Sequence, residues 1–200
     1  VVPNVPPPEG LQVWVESAAA RPEASGYADP FEPLAMRLRA PLNGFASGQV
    51  VISGPATIPG LAAKLGELRS AEGNAIPAAA SRVRYVKVSE QYMALLDQPS
   101  TEPDSQRPPW RPASRGRTRS AAGPRYLPVW VTVKPPADAK PGKYSGTLEI
   151  KGLPKPVSVA IELTVHGWKL PNPRDWRTVV NLLQSPQSVA GHYKVPLWSE

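Results

Sequence analysis

Val157-Ser158-Val159-Ala160-Ile161-Glu162-Leu163-Thr164-Val165 is the stretch on which the fold turns. Val157, Val159, Ile161, Leu163 and Val165 are apolar, with Ser158, Glu162 and Thr164 between them. Successive side chains of an extended chain point to opposite faces, so one face of this segment meets a core and the other meets water. Gly152 to Pro156 reads as the turn before it, and Tyr144–Lys151 as the preceding strand, with Leu148 and Ile150 on one face and Thr147, Glu149 and Lys151 on the other. Val129, Val131 and Val133 alternate in the same way. Further back, Leu11, Val13 and Val15 share a face, and 34–40, 49–53 and 82–89 read as strands, the last through Val83, Tyr85, Val86 and Val88. In 61–80, Leu61, Leu65 and Leu68 fit a helical face, but Gly66, Gly73 and Pro77 oppose a long helix, which predicts a short strand and then a turn at Glu72-Gly73-Asn74. At least six strands with Gly and Pro between them predict a mostly β chain, an antiparallel β-sandwich over 11–170.

Composition agrees. Proline takes 27 of the 200 positions, far above the usual ~5%, and excludes long uninterrupted helices. Hydrophobic residues make up 41%, enough for a core. The absence of cysteine excludes a disulfide framework, a thiolate metal cluster and a cysteine nucleophile. No apolar run approaches the ~18 residues of a membrane span. Residues 1–10, with Pro3, Pro6, Pro7 and Pro8, form a Pro-rich lead-in. The chain opens on Val1 with neither an initiator Met nor an apolar leader, which reads as removal of something upstream.

Charge is concentrated. Arg107, Arg111, Arg115, Arg117, Arg119 and Arg125 account for nearly all of the net +7, and no acid lies between Asp104 and Asp138. The same stretch carries six prolines from Pro99 to Pro124 and no hydrophobic period, so about 97–125 reads as a basic Pro/Arg-rich loop in the sandwich. A solubilising surface loop is its plainer meaning, and a patch for phosphate or carboxylate polymers the sharper one. Nucleic acid is not the expected partner, because only Trp110 and Tyr126 offer stacking faces.

At Pro171-Asn172-Pro173 the pattern changes. Thr178-Val179-Val180-Asn181-Leu182-Leu183 is a nearly continuous apolar run, as in strands buried on both faces of parallel α/β sheets. Ser185-Pro186 follows as an N-cap with proline at the first helical position, and Val189 and Tyr193 lie four apart on the helix so begun. Residues 171–200 are therefore expected to be a linker and the truncated start, one βα segment, of an α/β domain, unless they rest on the sandwich itself.

A family resemblance enters through these residues. Val129-Trp130-Val131-Thr132-Val133 with Pro136 to Leu148 resembles a hairpin of bacterial extracytoplasmic β-sandwiches. Leu170-Pro171, Pro173, Asp175-Trp176, Asn181-Leu182-Leu183-Gln184-Ser185-Pro186, Ser188-Val189-Ala190, Tyr193, Val195-Pro196 and Leu197-Trp198-Ser199-Glu200 together resemble the junction between the N-terminal sandwich and the (β/α)8 barrel of glycoside hydrolase family 123. The resemblance covers 129–200 well and 30–90 faintly. It implies a secreted or periplasmic bacterial enzyme whose barrel hydrolyses N-acetylgalactosaminides with help from the substrate's own acetamido oxygen, a departure from the usual two-carboxylate scheme. The family's Asp–Glu pair lies deeper in the barrel, so the resemblance carries no catalytic residue onto this chain; no cofactor is expected, and no metal site either, with cysteine absent and no acidic cluster beside a histidine. This chain would be the non-catalytic sandwich that supports the barrel and borders its cleft, and its partner a glycan bound through the parent enzyme.

The residues themselves offer little chemistry. Glu149 and Glu162 lie on polar strand faces, and a hairpin centred near 153–154 places neither opposite the other. His166 and His192 are the only histidines and have no acidic cluster nearby. Among the tryptophans, Trp14 and Trp130 are out of phase with the neighbouring valines, and Trp168 and Trp176 flank the linker as staples between sandwich and barrel. Trp110 stands in the basic loop. Gln184, after the first barrel strand, and Trp198 are the candidates for glycan contact, with Trp110 a third. The rival reading is an extracellular interaction or carbohydrate-binding module that grips acidic polymers with its arginine loop.

Overall fold

The structure is a computed structural model, and it describes residues 10–20, 32–54, 58, 60–88, 93–99, 125–178 and 185–197. In chain order the strands are β1 (Gln12–Ser17), β2 (Ala35–Leu42), β3 (Ala46–Gly54), β4 (Ala62–Leu65), β5 (Leu68–Ser70), β6 (Ala75–Ile76), β7 (Ser81–Val88), β8 (Met93–Leu96), β9 (Arg125–Val133), β10 (Gly142–Lys151) and β11 (Val157–Lys169). One helix, α1 (Pro186–Tyr193), follows. Among the described residues the protein is mostly β, as its alternation predicts.

The strands form two sheets. One runs β1-β3-β9-β7-β8 and is antiparallel throughout. The other runs β2-β11-β10-β5-β6, with β4 also on β10. The hairpin of β10 and β11 pairs Gly142 with Val165 through to Ile150 with Val157. Its turn includes Gly152 at φ 88, where a Cβ would stand 2.6 Å from the Gly60 carbonyl oxygen, so only glycine fits. The inward faces of both sheets share one cluster: Val50, Ile52, Val129 and Val131 from the first, Met36, Leu148, Ile161 and Leu163 from the second. Burying each aliphatic side chain contributes roughly 1.5–3 kcal/mol, which makes this cluster the main favourable term. A hydrogen bond also crosses the core: the Ala63 amide on β4 donates to the Tyr85 hydroxyl on β7 at 2.7 Å.

The structure corrects the expected all-antiparallel pairing. β2 runs parallel to β11, Ala35 beside Ala160 through Pro41 beside His166, so the second sheet is mixed. The reason is connectivity: β2 gives way at Asn43 to β3, which belongs to the other sheet, and its partner β11 arrives far later in the chain running the same way. Residues 61–80 also differ, giving three short strands where one was expected. Gly66 interrupts the run, and its amide donates to the Thr147 carbonyl at 3.4 Å between β4 and β5. The turn falls near the expected place, with Gly73 at φ 83. β8 adds a strand that no alternation predicts, since Met93–Leu96 is a short apolar run.

The chain divides into two compact units, Val1–Leu170 and Pro171–Glu200. In the second, a 3-10 turn spans Pro173–Asp175, and α1 begins as its sequence predicts. The Ser185 hydroxyl accepts from the Ser188 amide at 3.3 Å, and Pro186 takes the first turn, where a missing N–H costs nothing. Lys194 in the left-handed conformation ends the helix. The apolar run ahead of it lies, from 179 to 184, outside the described residues.

Candidate functional site

The three glycan-contact candidates, Gln184, Trp198 and Trp110, lie outside the described residues, as does 100–124 of the basic loop. Chemistry must be sought on the strands. Glu149 and Glu162 are held apart by the hairpin register, which sets Glu149 opposite Ser158 and Glu162 opposite Ser145. Each takes its own cation: Lys151 Nζ lies 3.8 Å from Glu149, and Arg37 Nε lies 3.3 Å from Glu162. Two exposed carboxylates neutralised separately on a solvated face do not make an acid–base pair. His166 is exposed at the end of β11, and among the described residues no group of three His, Asp or Glu side chains converges as a metal site would require.

A groove of about 380 Å³ opens between the edges of the two sheets, lined by Val15 to Ala19, Met36 to Leu38, and Ser47 with Gly48. Among the described residues that line it, Glu16 is the one carboxylate, and Arg37, the one cation, is paired with Glu162. Among the described lining residues there is no second acid to pair with Glu16.

Three buried polar arrangements are structural. Gln49 on β3 is buried, and its side-chain amide donates to the Ser17 and Ala20 carbonyls at 2.8 and 2.7 Å, fixing the chain after β1. Tyr126 packs edge-on against Trp14, with ring centroids 6.1 Å apart. Burial pushes the Tyr126 phenol above its ordinary pKa, opposed by a hydrogen bond with Ser53. Tyr144 donates to the Lys140 carbonyl at 2.6 Å; burial, then the negative charge of Glu72, raises its pKa. Trp14 and Trp130 are half-buried on the outer side of their sheet, and the Trp130 indole donates to Thr132 Oγ1 at 3.1 Å. Both are structural, as their phase against the valines allows.

Among the described residues of the first unit, the exposed aromatic side chains are Phe45, after the β2–β3 turn, and Trp168, near the end of β11. Asn43 sits at φ 60, and a Cβ on Gly44 would meet Pro41 Cγ at 2.4 Å. The turn they fix presents Phe45 at 68% exposure. The Asn43 side-chain amide donates to the Leu170 carbonyl at 3.0 Å, and Trp168, two residues earlier, is 57% exposed. Sequence reasoning passed over Phe45; the available signal was a large apolar residue between a turn and a strand. In the second unit Trp176 is partly exposed, and its indole donates to the Pro171 carbonyl at 2.9 Å.

The family described as Glycoside hydrolase 123 N-terminal domain matches residues 37–152, from within β2 to the end of β10. The chain belongs to that family. This bears out the resemblance read from the sequence, and the match falls on strands of both sheets. A solved structure of a family 123 glycoside hydrolase from Clostridium perfringens, described for hydrolysis of glycolipid glycans, superposes with a TM-score of 0.67 at 14% identity. That match covers 94% of this chain and 32% of the other, so this chain spans about a third of the hydrolase it resembles. The CooA pilin subunit from enterotoxigenic Escherichia coli also matches, at a TM-score of 0.39 and 12% identity over 80% of this chain and 99% of that one. No curated protein matches the sequence.

Proposed function

We propose that this sandwich is a non-catalytic support for a hydrolase barrel that cleaves N-acetylgalactosaminides in an extracytoplasmic compartment of a bacterium. The observation that carries the proposal is the dispersal of acids over the β10–β11 hairpin: Glu149 and Glu162 are separated by register and paired with different cations. Substrate-assisted hydrolysis needs one acid to donate a proton to the leaving oxygen and a second to orient the acetamido group as its oxygen attacks the anomeric carbon. Glu149 and Glu162, opposite Ser158 and Ser145 in the hairpin register, do not form such a pair. Gln184 and Trp198 are the proposed contributors to the edge of the cleft, with Trp110 a third glycan contact, and the glycan is a partner of the whole enzyme. The export assignment is supported by the sequence's likeness to extracytoplasmic sandwiches; no helix among the described residues is long and apolar enough to cross a membrane.

The test compares two samples on a chromogenic N-acetylgalactosaminide. The full-length gene product is expected to turn it over, and the 200-residue chain is expected to show no rate above buffer. Turnover by the 200-residue chain would overturn the supporting role, and a full-length product active only on other glycosides would overturn the substrate.

A further inference from the structure

We infer that the outer face of the second sheet binds an anionic glycan, with Arg39 and Lys143 holding a carboxylate or sulfate group over Thr164 and Trp168 stacking on a sugar ring. The inference goes beyond the supporting role proposed above. It concerns binding by the sandwich itself and does not depend on what the rest of the protein hydrolyses.

Register brings the two cations together. β11 lies between β2 and β10, and Thr164 stands opposite Arg39 on one side and Lys143 on the other. The adjoining row, Leu38, Leu163 and Tyr144, is buried, whereas Arg39 and Lys143 are exposed, so the row of Thr164 turns away from the core. Neighbouring strands run ~4.8 Å apart, which sets the two cation-bearing positions about 10 Å from each other with only a threonine between them. Both side chains are long enough to lean over Thr164 onto one group, and its hydroxyl can donate from below.

The two charges are also unanswered. Elsewhere on this face the strand cations have acids: Arg37 Nε lies 3.3 Å from Glu162, Lys151 Nζ 3.8 Å from Glu149 and Arg69 Nη2 2.6 Å from Glu67. Lys64 stands opposite Glu149 in the ladder. Among the described residues Arg39 and Lys143 form no ion pair, since their common neighbour is Thr164 where Arg37 has Glu162. Two cations one strand apart repel, and charge complementarity calls for an anion from outside between them. A guanidinium offers paired N–H donors that match a carboxylate or sulfate, and the lysine adds a point charge.

A face for a sugar ring lies farther along β11. His166, two residues beyond Thr164 and on the same side, is exposed opposite Pro41. Past the slip in register Lys169 is opposite Leu42, which packs against the core, so Trp168, one residue earlier, turns outward as His166 does. Trp168 is 57% exposed. Four residues of strand span roughly 13 Å, the reach of a short oligosaccharide. An exposed indole beside unpaired cations suits a ring that has an apolar C–H face and an anionic substituent. Nucleic acid calls for several stacking faces, and the domain belongs to a glycoside hydrolase family.

Titration calorimetry on the full-length gene product tests the inference with a heparin hexasaccharide, its desulfated N-acetylated form and the neutral N-acetylglucosamine hexamer. The heparin probe is expected to bind, more weakly as salt rises, and the neutral hexamer not to bind. Retention of the desulfated form assigns the carboxylate as the group held, and its loss assigns the sulfate. Arg39→Glu with Lys143→Glu is expected to lower affinity roughly tenfold or more, Arg39→Lys with Lys143→Arg to preserve it, and Trp168→Ala to lower it about fivefold. Unchanged affinity in the charge-reversed variant would overturn the inference. So would binding that disappears only when Arg111, Arg115, Arg117 and Arg119 are replaced by glutamine, which places it in the basic loop. Equal affinity for the neutral hexamer, or for single-stranded DNA of matching charge, would overturn the anionic glycan as the ligand.

Discussion

Replacing Gly152 by alanine isolates what a close backbone approach contributes to this fold. Gly152 stands in the β10–β11 turn at φ 88, and an added Cβ would lie 2.6 Å from the Gly60 oxygen, 2.7 Å from the Gly60 carbonyl carbon and 2.8 Å from the Leu61 Cα. All three are backbone atoms, so no rotamer change relieves the collision. An L side chain at such a φ costs about 1–2 kcal/mol. Forcing a methyl into occupied space adds roughly 1–3 kcal/mol. The sum is ~2–5 kcal/mol, a large share of the ~5–15 kcal/mol that holds a domain folded. Gly73→Ala is the control: its φ is 83, nearly the same, but nothing lies within 4 Å of the added carbon. It is expected to lose only about 1–2 kcal/mol. Urea unfolding followed by tryptophan fluorescence reads both variants, and at a slope of ~1–3 kcal/mol per molar the midpoints separate visibly. Equal midpoints for the two variants would refute the collision argument and leave only the conformational penalty.

Tyr85→Phe removes the hydroxyl that accepts the Ala63 amide between the sheets and strands that amide; a loss of about 1–3 kcal/mol in the same urea assay is expected. Stability is expected to fall in alkali. The Tyr126 and Tyr144 phenols are raised above the ordinary value near 10 when folded, so the unfolded chain deprotonates first. Their contribution is complete below pH ~10 and disappears as pH rises through the folded values, and urea midpoints for wild type against Tyr126→Phe and Tyr144→Phe show whether the slope belongs to them. Glu149→Gln and Glu162→Gln, each in the full-length gene product, are expected to leave kcat/KM for the proposed hydrolysis unchanged and stability within about 1 kcal/mol, since each breaks only an exposed ion pair. A large fall in kcat for either would place catalysis on the sandwich.

The sequence by itself determined the strands that alternate and the helix that is capped. Val157 to Val165 and Tyr144 to Lys151 needed no partner to reveal which side chains turn inward, because the two-residue period is a property of the extended chain. Ser185-Pro186 announced α1 for an equally local reason. It also determined that Glu149 and Glu162 would not meet, since a turn centre and a register are enough to place them. Where alternation failed, so did the reading: Met93–Leu96 hid a strand, and the segment around Gly66 held three where one was expected.

Only the tertiary structure decided which strands become neighbours. The parallel pairing of β2 with β11 joins Met36 to Ile161 across more than half the chain, and no local pattern carries that choice. The same holds for the tie between the β2–β3 turn and the end of β11. Asn43 and Gly44 spell a turn in any context, but only the folded chain brings Asn43 to the Leu170 carbonyl. Side-chain direction is written residue by residue, whereas pairing and exposure are settled by contacts between distant segments, and those exist only after the two sheets have closed on their core.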